Sequence, residues 1–379
     1  MIGSAAAAEF AALHPELRDT ARAVLSRAAP ETPVARGLLA RQGWLGVEVP
    51  EELGGAGATF AEAAVVAREW GRAVATGSYP GAVLAVGACL HLAPGPGRDE
   101  SLAAIAAGRS TVAVAFTADA DACGPPGAPF RLGRRGTRWV LSGSARFVLD
   151  APVADEFLLV ATEDGGPPVV VALSARTAGL TRAAQPLLDR TRAFGTVAAD
   201  ELTVAPEAIR RFAGDPVAAL RRLHDRAAAA IACDSLGLSE AMLDATVAYA
   251  GARRQFGRPI GSFQAVKHAC ADMLVRLTVS RHLVDAAVHA VAAQAPDAVV
   301  AVAMAKSHAC AAAVEIAGKA MQLHGGYGYT WDSGLHRYLE RATLDRALYG
   351  SPAAHRRRLA ARYRLPTATR MSSDDSTAE

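Results

Sequence analysis

The stretch GARRQFGRPIGSFQAVKHACADM, residues 251–273, decides how the chain is read. Arg253 and Arg254 end one helix, Phe256-Gly257-Arg258-Pro259-Ile260-Gly261 form a turn, and Ser262 can cap a second helix starting near Phe263-Gln264. A turn that carries guanidinium groups, the Gln255 amide and an aromatic ring suits the pyrophosphate and adenine ends of a dinucleotide. The same residues also suit an ordinary helix–helix turn with solvated arginines. On chemistry alone the two readings weigh about the same.

A second glycine-bearing segment lies downstream, QLHGGYGYT at 322–330. Paired Gly325 and Gly326 permit left-handed backbone and close approach of a ligand, with Gln322 one turn earlier as a donor. Taken alone, a glycine C-cap is the commoner explanation of such a pair. Around these two segments the chain falls into three zones. Residues 1–110 are alanine- and leucine-rich with helical spacing, broken by VPEELGGAGATF. Residues 111–205 hold short β-branched runs (TVAVAF, RWVLSG, EFLLVATE, PVVVALSA) that predict an antiparallel sheet or barrel. Residues 206–365 return to long helices of four-helix character, and the polar tail 366–379 is expected to be disordered. The fold class expected is α+β.

Composition excludes several functions. Of 40 basic residues only Lys267, Lys306 and Lys319 are lysines, and the net charge of +3 is too small to suggest a nucleic-acid partner. The five cysteines are scattered without metal spacing, which predicts reduced, mostly buried thiols in a cytoplasmic protein and no metal site. The N-terminus lacks the pattern of a signal peptide, and the longest apolar runs are broken by Asp, Gln, His and Pro, so no membrane span is expected.

With both segments in view, 251–273 resembles the signature of the FAD-dependent acyl-CoA dehydrogenase family. Three other segments are similar to that family in the same order: 43–73 to its N-terminal helical domain, 145–161 to its central β-domain and 320–342 to its second C-terminal signature. The resemblance implies FAD as cofactor, an acyl-CoA substrate and electron-transfer flavoprotein as acceptor. It also implies that Arg253, Gln255, Phe256, Gln322, Gly325 and Gly326 touch the ADP half of a FAD held mainly by a neighbouring subunit.

Positions that would hold a flavin within the subunit depart from the family pattern. In FTADADACGPPG (116–127) Thr117 remains, but the usual Glu-Pro and Gly-Ser-Asp elements do not. Phe147-Val148-Leu149 places an apolar Leu149 where the family has a hydroxyl. The α-proton of an acyl-CoA must be taken by a carboxylate within hydrogen-bond reach. The family carries it either just after the final tyrosine or on an earlier helix, and here those places hold Gly350 and Ala227. Asp225 reaches the second place only by realignment and reads otherwise as a solvated helix-start aspartate. Glu240 reads as a surface charge, Glu340 as a helical ion pair with Arg337 and Arg341, and His324 and His336 as packing or surface residues.

This division resembles the base-lacking partner in actinobacterial α2β2 heterotetrameric acyl-CoA dehydrogenases acting on steroid side-chain thioesters. There a homologous subunit supplies the glutamate and most of the flavin site. A homo-oligomeric flavoenzyme using Asp225 or other chemistry, and a purely structural subunit, are the alternatives.

Overall fold

The computed structural model describes residues 10–29, 31–117 and 127–362. The polar tail and Cys123 lie outside these residues. The first half of the described residues holds helices α1 (His14–Leu25), α2 (Arg36–Arg41), α3 (Phe60–Arg72), α4 (Tyr79–Leu90) and α5 (Pro96–Ala106). A capping box starts α3: Thr59 accepts from the Ala61 amide while Glu62 accepts from the Thr59 amide.

Among the described residues eight strands follow in one sheet: β1 (Val112–Ala115), β2 (Phe130–Arg135), β3 (Arg138–Leu149), β4 (Glu156–Glu163), β5 (Pro168–Ser174), β6 (Leu180–Ala184), β7 (Phe194–Val204) and β8 (Ile209–Arg210). The order is β6-β7-β3-β2-β4-β5-β8, with β1 also on β4. The sheet is not purely antiparallel as the sequence predicts, because β1 and β2 both run parallel to β4. They occupy successive parts of one edge: β1 pairs with Glu156–Leu159 and β2 with Ala161–Glu163. Alternate residues of β4 serve two cores. Leu158 and Val160 face the helices, and Phe157, Leu159 and Ala161 the sheet's own interior. Its near-continuous apolar run follows from being covered on both faces.

The C-terminal helices are α6 (Pro216–Ala252), α7 (Gln264–Ala292), α8 (Ala298–Leu323), α9 (Leu335–Ala347) and α10 (Pro352–Arg362). Asp215 caps α6 by accepting from the Val217 amide, with Pro216 at the first helical position. Ser262 does not cap α7. Its hydroxyl donates back to the Pro259 carbonyl at 2.7 Å, and Phe263 holds the N-cap place without a side-chain bond. By length and composition α8 is apolar enough to cross a membrane, and in the fold its Val302, Ala305, Ala309, Ile316 and Ala320 are buried in the helical core.

Candidate functional site

Two places carry the residues that the sequence assigns to chemistry, one on the surface and one inside. At the surface, Arg253 ends α6 with its amide bonded to the Tyr249 carbonyl. Then β9 (Arg254–Gln255) and β10 (Arg258–Pro259) form a miniature hairpin. Its two central residues, Phe256 and Gly257, have φ of +50° and +78°, the signature of a type I′ turn. Phe256 is 92% exposed, while Arg258 lies over the Phe263 ring at 4.1 Å. Gly325 opens the segment after α8 at φ +61°, and a Cβ on either Gly325 or Gly326 would meet nothing within 4 Å. Left-handed backbone therefore calls for glycine at 325, whereas 326 is simply open.

Tyr249, which the sequence reading passed over, joins the two segments. Its hydroxyl donates to the His324 carbonyl at 3.2 Å, and its ring stacks on His324 at 4.3 Å and on Tyr327 at 6.2 Å. Its place one turn before Arg253 was the available signal. His324 is buried and its Nδ1 bonds the Ala320 carbonyl, as a packing residue would. Gln322 is exposed and its Oε1 accepts from Lys319. Tyr329 and Trp331 extend the exposed aromatic edge.

Inside, Ala227 and Tyr349 help line a cavity of about 30 Å³, together with Trp70, Leu149, Arg192, Arg226 and Asp234. This holds one water but no acyl chain. A groove of about 270 Å³ lies elsewhere, between α1, α3 and α9, and includes none of the assigned residues. Leu149 is buried and Phe147 takes φ +54° within a bulge of β3, while the Thr117 hydroxyl donates to the Gly127 carbonyl. Around this cavity the described residues offer no hydroxyl at 149 and no room for a flavin ring.

Charged pairs fill much of this interior, and the sequence reading missed them. Arg341, fully buried, binds Asp189 at 2.9 Å, Asp234 at 3.1 Å and the Ala75 carbonyl at 3.0 Å. Arg192 binds Asp345 at 2.6 Å, and Arg226 binds Glu48. Arg341 is therefore not paired with Glu340. Glu240 is no surface charge either, since it is buried between Arg68 at 3.0 Å and Arg281 at 2.9 Å. Asp225 is likewise no solvated aspartate but sits buried within α6, bound by Arg358 at 2.6 Å. Burial opposes its ionisation, yet His224 and Arg358 outweigh that and hold its carboxyl below the usual range. A carboxylate so engaged is a poor proton acceptor. Asp150 is different: burial pushes it up to about 7 and its Oδ2 has no partner.

The comparisons with known proteins agree with the fold. The acyl-CoA dehydrogenase N-terminal domain matches residues 5–109 and the C-terminal domain residues 217–363. Acyl-CoA dehydrogenase IpdE2 of Mycobacterium tuberculosis is 32% identical over 314 residues, covering 82% of this chain and 80% of that protein. The ChsE4–ChsE5 complex from Mycobacterium tuberculosis superposes at a TM-score of 0.79 and 25% identity, covering 97% of this chain and 99% of the compared one. For the Tcur3481–Tcur3483 steroid ACAD the values are 0.78, 28%, 92% and 96%. The class so defined is that of oxidoreductases acting on CH–CH bonds. Within it, this chain belongs to the acyl-CoA dehydrogenase family, which is FAD-dependent and here includes a steroid-acting relative.

Proposed function

We propose that this chain is one subunit of an FAD-dependent acyl-CoA dehydrogenase and completes a flavin site seated mainly in a homologous, glutamate-bearing partner. The contrast between the two places carries the reading. The surface edge keeps exposed Arg253, Gln255, Phe256, Gln322, Gly325 and Gly326 within two segments joined by Tyr249. The interior has Gly350 and Ala227 at both base positions and too little room for an acyl chain. In this role the Arg253 guanidinium neutralises pyrophosphate, Phe256 offers a face to adenine, and the open glycines let backbone approach the ligand. A flavin bound in the partner would supply the hydride acceptor, and the partner's carboxylate would supply the base for the α-proton. The substrate class proposed is a bulky acyl-CoA, steroid-derived by analogy with the steroid ACAD relative, with electron-transfer flavoprotein as acceptor.

The test is flavin content after co-expression with a glutamate-bearing homologue. Arg253→Ala is expected to lower FAD retention by the complex about tenfold, the scale of one lost charge-assisted contact, while leaving assembly intact. Unchanged flavin content would sink the assignment. A stable yellow homo-oligomer of the lone chain, with one FAD per chain, would overturn the division of labour itself.

A further inference from the structure

Glycine at 350 is only half of what removes a carboxylate from this turn. Tyr349 and Gly350 both take left-handed backbone, at φ +52° and +93°. The turn is pinned from two sides. Fully buried Lys306 donates to the carbonyls of Asp345 and Gly350, each at 2.9 Å. His355 donates from Nε2 to the Tyr349 carbonyl at 2.9 Å. That imidazole occupies the place where a side chain at 350 would begin, since a Cβ there would lie 2.8 Å from Nε2 and 3.1 Å from Cδ2. The ring is not free to yield. His355 is 2% exposed, stands in the first turn of α10 and bonds through its own amide to the Ser351 carbonyl at 3.0 Å. His224 lies 6.3 Å behind it, ring to ring.

We infer that His355 is a positioning residue that keeps the 349–350 turn closed to any side chain, so that the carboxylate at 350 cannot be restored without removing the imidazole. The alternative, in which His355 itself accepts the α-proton, has chemistry in its favour, because its Nδ1 has no partner. It lacks room: the cavity beside Tyr349 does not include His355 among its lining residues. The inference does not depend on which subunit holds the flavin. Flavin content tests that question, and thermal coupling tests this one.

The experiment is a double-mutant cycle on the full-length chain, read by thermal unfolding, with Gly350→Glu, His355→Ala and the pair. Gly350→Glu alone is expected to lower Tm by roughly 5 °C, from overpacking and left-handed strain together. In the His355→Ala background the same change is expected to cost less than about half of that, because only the backbone strain remains. Should Gly350→Glu not fold, Gly350→Ala in both backgrounds reads the same coupling, since its Cβ alone meets Nε2. Equal Tm losses in both backgrounds, or no loss at all, would overturn the inference. So would a His355→Asn complex that keeps its Tm and flavin but loses turnover, which marks a base instead.

Discussion

The hairpin at Arg254–Pro259 and the turn at Tyr349–Gly350 are both short, both left-handed at two residues, and opposite in character. At the hairpin, Gly257 has open space around it and Phe256 stands in solvent. At the interior turn the glycine is pressed by His355, and carbonyls are claimed by Lys306. The same division runs through other glycines. A Cβ on Gly81 would fall 1.9 Å from the Asp150 carboxylate and one on Gly87 2.3 Å from Arg226 Nε, so α4 is thinned to admit buried charge. At the hairpin and at Gly325 and Gly326 the open glycines stand on an exposed surface. Crowded ones mark an interior whose donors are already spent on each other.

Substitutions at both kinds of site can break or sharpen this contrast. The largest effect is expected from Arg341→Met, which leaves Asp189 and Asp234 buried without their shared partner. A loss of about 3–5 kcal/mol in denaturant unfolding is expected; a loss under about 1 kcal/mol would show that the interior network is not what holds the core. Gly87→Ala comes next, because its Cβ meets a guanidinium held on Glu48. The clash should outweigh the helix-propensity gain and leave a net cost of about 1–3 kcal/mol.

Asp150→Asn should act through pH. The carboxyl is raised from 3.8 to about 7 in the fold, so it binds its proton more tightly folded than unfolded. The stability that this contributes is full below pH 3.8 and is lost as pH rises through about 7. The variant should therefore gain about 3–4 kcal/mol more on its parent at pH 8 than at pH 4. A gap that stays constant with pH would mean that Asp150 is ionised in the fold. His91 and His355, each lowered to about 4 chiefly by burial, pull the other way: the parent loses stability as pH falls from 6.5 towards 4. The smallest effect belongs to Gly326→Ala, with a stability change within about 0.5 kcal/mol, since its Cβ enters open space. A large loss there would remove the distinction between the two classes of glycine.

Local pattern made the surface half of this protein legible. The turn at 253–263 is coded within a dozen residues by arginine, glycine and proline, and Tyr249 was within one turn of it. Helix and strand periods likewise announced the three zones, and the β-branched runs the sheet. Strand direction was less accessible, since parallel pairing of β1 and β2 with β4 is a contact between residues some 30 to 45 positions apart.

What the sequence by itself determined, then, was the family, the order of layers and the absence of a carboxylate at 350 and 227. Only the tertiary structure decided that Glu240 and Asp225 are buried and engaged, that Arg341 joins Asp189 and Asp234, and that His355 fills the seat beside Gly350. The reason is range. Periodicity reports neighbours three or four residues apart, whereas Arg226 and Glu48 are 178 residues apart and Arg341 and Asp189 are 152. Whether a charge is solvated or paired is set by every segment that closes over it, and none of those segments is its neighbour in the chain.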